Sequence, residues 1–556
     1  MRRISDFRPD FPEFLAQKET VTALAATNEI DQGRERPAIN PWAVAVVVSI
    51  ATFMEVLDTS IANVAVPHIA GGTASTIDEA TWVLTSYLVA NAVILPASGW
   101  LATVIGRKRF YMSCVAIFTI SSFLCGIAPN LQTLIFFRIL QGMSGGGLAP
   151  SEQSILADTF EPKKRGMAFA LYGIVVVAAP AIGPTLGGWI TDNFSWRWIF
   201  FINVPVGILS LFLSEIFVHD SPRQIAERKR RLDEGLKIDY FGFGLLALGL
   251  GCMQVVLDKG QEDDWFSSNF IVAMTVIAAL GLICGVIWEL WVDQPVLDIQ
   301  LLVHDRTFAI ANWIMFIIGI VLFGTTILLP LFTQTLLGYT AERSGEVLTP
   351  GGLAVMGMMP FVGFLLGKVP ARNMVIIGML ISSIAIYHMT SFDLNISFRS
   401  LVWARIFQAS GLAFLFVPIN VAAYASLPPE KSNDASAMMN LSRNIGGSVG
   451  ISVVNTLLWR RGQYHQSVLG GHVTPFNSIA QRMLHGTMSV VSGHGGSFPS
   501  YALLQSQRMV YRTVQRQAQM LAYIDVFWVL AVFCAAMIPM LFLMKKNKPG
   551  AAAGGH

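Results

Sequence analysis

Residues 42–67 read WAVAVVVSIATFMEVLDTSIANVAVP, an apolar run that contains two acidic side chains, Glu55 and Asp58. About 20 apolar residues are enough for a helix to cross the roughly 30 Å hydrocarbon core of a membrane. A charge at that depth costs about 2.5–3.5 kcal/mol, so carboxylates inside a membrane are rare and usually functional. This run therefore predicts a membrane-spanning helix that turns one face toward a polar interior.

Thirteen further apolar runs follow, in a chain of 556 residues that is 53% hydrophobic and 13% charged. A soluble protein this apolar would expose large hydrophobic patches, so the composition indicates a polytopic membrane protein. Each span must be helical, because its backbone has no water to bond inside the bilayer. The sequence therefore predicts an all-α protein with fourteen spans. They lie at about 42–67, 79–102, 108–128, 131–157, 165–191, 197–218, 239–257, 269–291, 308–336, 345–367, 373–390, 400–425, 434–459 and 523–544.

The composition also argues against several classes of function. A net charge of +3 is too small to indicate a nucleic acid partner. The five cysteines all fall inside predicted spans without metal-ligand spacing, so neither a metal site nor a disulfide framework is expected. The chain has no nucleotide-binding loop, which argues against direct use of ATP. We therefore expect no cofactor and no enzymatic activity.

Basic clusters orient the spans. Residues 107–109, 163–165 and 228–231 carry clustered Lys and Arg in loops on one side of the predicted membrane. Such clusters mark cytoplasmic loops. Residues 1–40 and 545–556 fall on the same side, so both are predicted to be cytoplasmic tails. The first 40 residues show no cleavable signal peptide.

One predicted outer segment, residues 460–522, is much longer than the other loops. Within it, Arg508, Arg512 and Arg516 recur every four residues and would form a basic stripe on a helix. Two interpretations are open. The segment is either a helix lying on the outer leaflet of the membrane or a docking element for a periplasmic partner.

A weak internal repeat divides the chain. Arg138-Ile139-Leu140-Gln141 in the fourth span is similar to Arg405-Ile406-Phe407-Gln408 in the twelfth. If the seventh and eighth spans are an insert, both segments occupy the fourth position of a set of six. Two similar halves around a central site are typical of transporters. The predicted domains are an N-terminal six-helix bundle at 41–218, a cytoplasmic linker with two additional helices at 219–300, and a C-terminal six-helix bundle at 301–544 that includes segment 460–522.

Glu55 and Asp58 lie three residues apart on one face of the first span, which Asn63 extends. Desolvation and mutual repulsion favour their protonated forms. Either carboxylate could therefore load a proton from one side of the membrane and release it to the other. The alternative is that buried donors satisfy both carboxylates, which then serve only packing.

Buried arginines could complete this chemistry. Arg138 could hold Asp58 ionised, with Gln141 orienting the guanidinium, so that protonation or substrate competes for the pairing. The alternative is a permanent structural salt bridge. Glu152 lies about four turns from Arg138 on the same helical face, too far to touch it. In the second half, Arg405 and Gln408 could play the equivalent part.

Two glycine-containing stretches are candidates for moving parts. Residues 183–188 combine proline and glycines, which predicts a bend and close helix packing, and a part in gating if the packed surface separates. Residues 99–109 predict a tight turn held at the cytoplasmic face, although a basic loop can equally be a topology signal alone. The candidate gating residues are Gly183, Pro184, Gly187, Gly188, Gly99, Gly106, Arg107, Lys108 and Arg109.

Four motifs, at residues 57–67, 99–109, 138–142 and 183–188, resemble those of the major facilitator superfamily. The run WRWIFFINVP at 196–205 is similar to the fourteen-span drug–proton antiporters of the EmrB/QacA type, and the long loop before the last span resembles EmrB. One position departs from the pattern. The superfamily loop has an Asp where Thr103 stands, so the resemblance does not carry over a conformational latch that uses that carboxylate.

The resemblance implies a major facilitator fold with fourteen transmembrane helices arranged 6+2+6. It also implies a proton-coupled multidrug efflux transporter that exports hydrophobic or amphipathic compounds by alternating access. The implied location is a bacterial inner membrane, with an EmrA-like membrane fusion protein as periplasmic adaptor and an outer-membrane channel as partners. Two alternatives stay open: a proton-coupled transporter of a specific metabolite, and a non-transporting membrane scaffold or receptor whose buried charges are structural.

Overall fold

The computed structural model describes residues 40–544 except 162–163, 221, 234–238, 293–294, 426, 428–430 and 494–498. The predicted tails at 1–39 and 545–556 lie outside the described residues, as does Lys163 of one basic cluster. The described part is helical and contains no strand. The helices are α1 (Pro41–Gly72), α2 (Ile77–Ala80), α3 (Trp82–Ile105), α4 (Arg107–Ile127), α5 (Leu131–Thr159), α6 (Arg165–Asn193), α7 (Trp198–Phe201), α8 (Asn203–Phe217), α9 (Pro222–Asp233), α10 (Tyr240–Lys259), α11 (Asn269–Trp291), α12 (Gln300–His304), α13 (Arg306–Thr335), α14 (Ala341–Leu365), α15 (Ala371–Met389), α16 (Phe398–Ala425), α17 (Ser432–Gly471), α18 (Ser478–Gly493) and α19 (Pro499–Leu541).

The first helix, α1, shows how local sequence sets a helix start. The Asn40 side chain accepts a hydrogen bond from the Trp42 backbone N–H at 3.0 Å. Pro41 occupies the first turn, where its missing N–H has no helical partner to lose. The helix has 32 residues, and at 1.5 Å per residue it is longer than the hydrocarbon core is thick. Glu55 and Asp58 therefore lie near its middle, at membrane depth.

Eleven helices of the described part are long and apolar enough to cross a membrane, or twelve if the bent helix α6 counts as one span. Two more, α5 and α17, have 29 and 40 residues but are more polar. They carry buried charged side chains, Arg138 and Glu152 on α5 and Arg443 on α17. Counting both gives the fourteen spans expected from the sequence, a number that hydropathy alone does not establish.

Two groups of helices pack against each other. The first group comprises α1, α3 to α6 and α8, and the second comprises α13 to α17 and α19. They meet along two seams, because α6 packs along α14 while α3 and α5 pack on α17. We call the end of the molecule that holds residues 106–109 the basic end. The opposite end, from which α17 and α19 project, is the hairpin end.

The two additional helices lie outside the two groups. Helix α10 packs on α3 and also contacts α17, so it covers one seam between the groups, whereas α11 packs mainly on α10. At the hairpin end Lys259 donates to the Thr81 hydroxyl and the Glu262 carboxylate, and Thr85 donates to Asp258. Exposed apolar side chains such as Leu280 and Ile283 cover the outer face of α11. The pair therefore presents an apolar surface suited to lipid.

Helices α17 and α19 continue past the membrane. They have 40 and 43 residues, about twice what is needed to span the hydrocarbon core. The Asp525 carboxylate joins them, since Arg461 Nε lies 2.5 Å and His465 Nε2 lies 2.7 Å from its Oδ2. Because α19 is continuous from residue 499, it contradicts the interpretation of the Arg508–Arg516 segment as a separate helix lying on the membrane.

Candidate functional site

A buried ion pair lies inside the first group. Asp58 on α1 and Arg138 on α5 are 1% and 0% exposed, and Arg138 Nη1 lies 2.6 Å from Asp58 Oδ2. The other carboxylate oxygen accepts from Gln141 Nε2 at 3.1 Å and from Asn203 Nδ2 at 2.7 Å. Both Asp58 oxygens are thus bonded, as burial of a charge requires. The sequence predicted the Asp58–Arg138–Gln141 association but not Asn203.

The guanidinium of Arg138 is held by several groups besides Asp58. Its Nε donates to the Val83 carbonyl at 3.1 Å, and its Nη1 also donates to Gln141 Oε1 at 2.7 Å. The guanidinium lies 4.3 Å from the Tyr87 ring centroid and 5.6 Å from that of Phe200. Such contacts stabilise a desolvated cation. The position of Arg138 is therefore fixed independently of Asp58.

Glu55 lies one turn nearer the basic end than Asp58 and is only half-buried. Its Oε1 is 3.4 Å from the Tyr87 hydroxyl and 3.5 Å from Asn91 Nδ2, both long hydrogen bonds. Tyr87 thus touches Arg138 with its ring and Glu55 with its hydroxyl. Asn63, which was expected to extend the same face, is exposed and does not join this cluster.

Glu152 lies nearer the basic end and is fully buried. Its Oε1 accepts from the Ser49 hydroxyl at 2.6 Å, whereas its Oε2 has no hydrogen-bond partner within the described part of the chain. Arg443 on α17 in the second group is close enough to act electrostatically on both Glu152 and Glu55. Its Nη1 donates to the Tyr172 hydroxyl at 3.0 Å. A cation of the second group therefore faces carboxylates of the first.

Polar bridges between the groups accompany Arg443. Asn444 Nδ2 donates to Asn91 Oδ1 at 3.1 Å, and Asn440 Nδ2 donates to Gln153 Oε1 at 2.9 Å. None of these residues was predicted from the sequence to belong to the site. A usable signal was present, because residues 440–444 read NLSRN inside an otherwise membrane-length helix. Polar residues at that depth usually face a bundle interior.

The second group contains a near copy of the buried cluster. Arg405 Nη1 donates to Gln408 Oε1 at 2.5 Å, and Gln408 Nε2 donates to the Thr325 hydroxyl at 3.0 Å. Arg405 and Gln408 are 2% and 0% exposed. The internal repeat thus corresponds to a repeated arrangement of side chains, with Thr325 on α13 where Asp58 stands on α1.

The loop at the basic end closes on the second group. Arg107 Nη1 lies 2.5 Å from Asp158 Oδ2, and its Nη2 donates to the Ser432 hydroxyl at 3.3 Å. Thr103, which replaces the acidic residue of the superfamily motif, accepts from Asn433 Nδ2 at 3.1 Å. The contact between the groups therefore forms without the carboxylate that the superfamily motif has and this chain lacks.

The neighbouring candidate residues of this loop have different environments. Gly99 faces the Asn433 carbonyl, which would be 2.9 Å from an added Cβ, so a larger residue would separate α3 from α17. Gly106 has a φ of 98°, which favours glycine. The Lys108 side chain bonds the Glu215 carbonyl at 2.8 Å, whereas Arg109 is exposed. Only part of the basic cluster therefore has a structural contact.

The glycines of α6 pack against α1 close to the Asp58 cluster. An added Cβ at Gly183 would lie 2.4 Å from the Ser60 hydroxyl, and one at Gly187 would lie 3.0 Å from Ile61. Gly188 is buried and Pro184 half-buried beside them. Close packing is thus confirmed, and the role of these four residues in gating stays a prediction.

Removal of the Thr103–Asn433 hydrogen bond should favour opening at the basic end. A neutral hydrogen bond contributes about 0.5–1.5 kcal/mol, so Thr103→Val should raise the open population by up to about tenfold. The reporter is thiol labelling of Ser154→Cys, buried beside the Ser432 carbonyl, in a background with Cys252→Ser and Cys284→Ser. Thr275→Val is the control, because Thr275 bonds only within α11. Equal labelling of both variants would contradict the prediction.

Comparison with known proteins agrees with this architecture. The family model of the Major Facilitator Superfamily matches residues 48–451. The multidrug export protein EmrB of Haemophilus influenzae is 35% identical over 501 residues, covering 90% of this chain and 94% of that protein. The fatty acid resistance protein FarB of Neisseria gonorrhoeae is 36% identical over 509 residues, covering 92% and 97%. The colistin resistance protein EmrB of Acinetobacter baumannii is 27% identical and covers 92% and 98%.

Solved structures share the fold at much lower identity. The proton:xylose symporter XylE has a TM-score of 0.58 at 13% identity, over 92% of this chain and 97% of that one. The human organic anion transporter MFSD10 has a TM-score of 0.52 at 12% identity, over 76% and 95%. The family model and the relatives carry the assignment, and these folds agree with it. The chain is a multi-pass membrane protein that belongs to the major facilitator superfamily, in its EmrB-type branch.

Proposed function

We propose that the protein is a proton-coupled multidrug efflux transporter that exports hydrophobic or amphipathic compounds by alternating access. The names of its relatives support export of several compounds. The observation that carries proton coupling is the enclosed Asp58–Arg138 ion pair, which lies beside half-buried Glu55. An ion pair at this depth costs free energy, so its presence in the membrane indicates a functional role. A scaffold without transport leaves the buried ion pair unexplained. A proton-coupled transporter of one metabolite would use the same carboxylates, and the names of the relatives favour export of several compounds over that alternative.

In the proposed cycle, a proton entering from the hairpin end neutralises Asp58 and releases its hold on Arg138. The freed guanidinium keeps its contacts with Val83, Gln141 and Tyr87, so the helices stay assembled while the charge pairing changes. Glu55 shares the transfer, since Tyr87 links it to the ion pair. One charge moving through 100 mV provides about 2.3 kcal/mol, so one or two protons supply useful drive.

The other candidate residues have supporting roles. Glu152 and Arg443 place opposite charges where the two groups meet. The residues at 99–109, which contact α17, form a surface that separates as the groups rock, whereas the glycines at 183–188 hold α6 close to α1 within the first group. We propose the domain division predicted from the sequence, with bundles at 41–218 and 301–544 and a linker with two additional helices at 219–300. In our proposal the basic end faces the cytoplasm of a bacterium, with both termini there, and the hairpin end faces the periplasm.

Transport by the purified protein tests this function. Proteoliposomes with an imposed pH gradient should move dodecyltrimethylammonium, an amphipathic cation, against its gradient. Dissipation of the gradient with an ionophore should stop accumulation. Accumulation that ignores the pH gradient would contradict proton coupling, and a failure to move any amphipathic compound would favour the scaffold alternative.

We also propose that the projecting part of α17 to α19 docks a periplasmic adaptor of the EmrA kind, which connects to an outer-membrane channel. Exposed side chains support this, including Phe476 at 97% and Ile479 at 67% exposure. Large exposed apolar surface outside the membrane is typical of an interaction site. All three arginines of the basic stripe are exposed, and Arg516 also donates to the carbonyl of Leu336, directly after α13, at 2.6 Å.

Reversal of two exposed charges tests the docking surface. If each arginine contributes roughly 0.7 kcal/mol to an exposed pairing, Arg508→Glu with Arg512→Glu should reduce recovery of the co-expressed adaptor about tenfold. Co-purification from detergent extracts measures the recovery. The matched control is Arg109→Glu, which reverses an exposed arginine at the basic end. Unchanged recovery in the double variant would place the docking surface elsewhere.

A further inference from the structure

The near copy of the Asp58 cluster in the second group differs from it in one respect that matters. Arg138 and Arg405 are each the eighth residue of their helices, α5 and α16. In both, arginine Nη1 donates to the oxygen of a glutamine one turn later, and that glutamine donates to the first helix of its group. The acceptor is the Asp58 carboxylate in one group and the Thr325 hydroxyl in the other. The second group thus has the cation without its counter-ion.

No described residue supplies the missing negative charge. No Asp or Glu oxygen of the described chain lies within 4 Å of the Arg405 guanidinium, and its Nε has no hydrogen-bond acceptor there. Arg405 is nevertheless 2% exposed. A buried guanidinium with a single neutral partner is unfavourable, because the lost hydration is not replaced. Since arginine stays protonated, an anion is the group that would relieve the cost.

Packing holds Arg405 in this position. Gly351 on α14 lies against its stem, and a Cβ there would be 2.7 Å from Arg405 Cγ. Thr325 is tied to its own helix, since its hydroxyl donates to the Val321 carbonyl at 2.7 Å. The guanidinium therefore stays near Thr325, and a planar anion bound between them would take the place that the Asp58 carboxylate has beside Arg138. Arginine suits such a head group because its fork matches a carboxylate.

We propose that Arg405 and Gln408 bind the anionic head group of an amphipathic substrate, a carboxylate in the simplest case, at a site of the second group distinct from the proton site at Asp58. The inference rests on the proposed export function and extends it to acidic amphiphiles. The site is closed in this structure, as is the Asp58 cluster at 1% exposure. Alternating access would open it as the groups separate. The same chemistry would also hold a free anion such as chloride.

The test uses two substrates that share a tail and differ in the head. Dodecanoate and dodecyltrimethylammonium are measured separately in proteoliposomes with an imposed pH gradient, for the unmodified protein and two variants. Arg405→Met removes the cation and retains an apolar stem of similar shape. Thr325→Asp supplies an internal counter-ion copied from the Asp58 cluster. Both should lower dodecanoate transport at least tenfold and leave dodecyltrimethylammonium transport within twofold, with unchanged melting temperature or a higher one.

Several outcomes would overturn the inference. Equal loss of both substrates would make Arg405 a coupling or structural residue, and equal retention would leave it without a role in recognition. If replacing chloride with gluconate slows transport of the cationic substrate in the unmodified protein but not in Thr325→Asp, the occupant is a free anion instead of the substrate head. Failure of the unmodified protein to move either substrate would instead contradict the proposed export function.

Discussion

Asp58→Asn should abolish proton-driven export, with accumulation falling at least 100-fold. Asparagine matches aspartate in size, and its amide oxygen can still accept from Gln141 and Asn203. It cannot gain and lose a proton in the working pH range, so the substrate can no longer be exchanged for a proton. Proteoliposomes with an imposed pH gradient measure the loss. Downhill movement of substrate without a gradient should persist, because the two groups can still rock.

Stability must be separated from coupling in this experiment. Removal of one partner of a buried pair leaves the other charge uncompensated and costs about 3–5 kcal/mol. Asp58→Asn alone should therefore lower the melting temperature, as Arg138 remains buried. The double variant Asp58→Asn with Arg138→Gln removes both charges and should recover most of the stability but none of the coupling. Undiminished proton-driven transport in the double variant would remove the pair from the mechanism.

The sequence predicted this pair because an apolar span contains few charges, and a buried charge needs an oppositely charged partner. Asp58 and Arg138 fall in different spans, and Gln141 lies one turn from Arg138, so burial alone favours their association. Neutral polar residues gave no comparable signal. Asn203, Tyr87 and Ser122 complete the cluster, yet such residues are tolerated in membrane helices for many reasons. Their roles follow from tertiary packing, which periodicity does not encode.

The sequence also did not predict that Glu55 is less buried than Asp58. Glu55 and Asp58 look alike in the apolar run, but the structure encloses Asp58 and leaves Glu55 half-buried with two long hydrogen bonds. The difference arises because Arg138 comes from a helix that packs on one side of α1. Arg443 was not predicted either, because it belongs to the other group of helices and only packing between the groups brings it near Glu152.

The projecting helices show where hydropathy misplaces a boundary. The apolar signal of the last span begins near residue 523, so the sequence predicts a helix within the outer segment 460–522 but not its continuity with the last span. The structure continues one helix from Pro499 to Leu541. Leu, Gln, Arg and Ala, which are frequent in the polar part, favour helix without being apolar. Hydropathy indicates which residues of a helix lie inside the membrane, whereas helix propensity and packing on α17 decide how far the helix extends beyond it.

Gly446→Val should prevent α13 and α17 from packing closely and cause a large loss of stability. An added Cβ at Gly446 would lie 2.0 Å from the Phe316 carbonyl oxygen. This neighbour is backbone, so it cannot move aside by rotation of a side chain. A Cβ added at Gly319 or Gly450 would likewise lie 2.2 or 2.6 Å from a backbone carbonyl oxygen of the facing helix. Overpacking costs about 1–3 kcal/mol where side chains adjust, and a backbone clash should exceed that.

The matched control is Gly470→Val on the same helix, because nothing lies within 4 Å of an added Cβ there. Fluorescence-detected size-exclusion chromatography after heating should show Gly446→Val aggregated or melting far below the unmodified protein, and Gly470→Val nearly unchanged. Similar melting of both variants would mean that α13 and α17 can separate at little cost. If the pair instead behaves as one unit, the movement that exposes Asp58 and Arg405 must occur between the two groups, at the seams where α6 meets α14 and α3 meets α17.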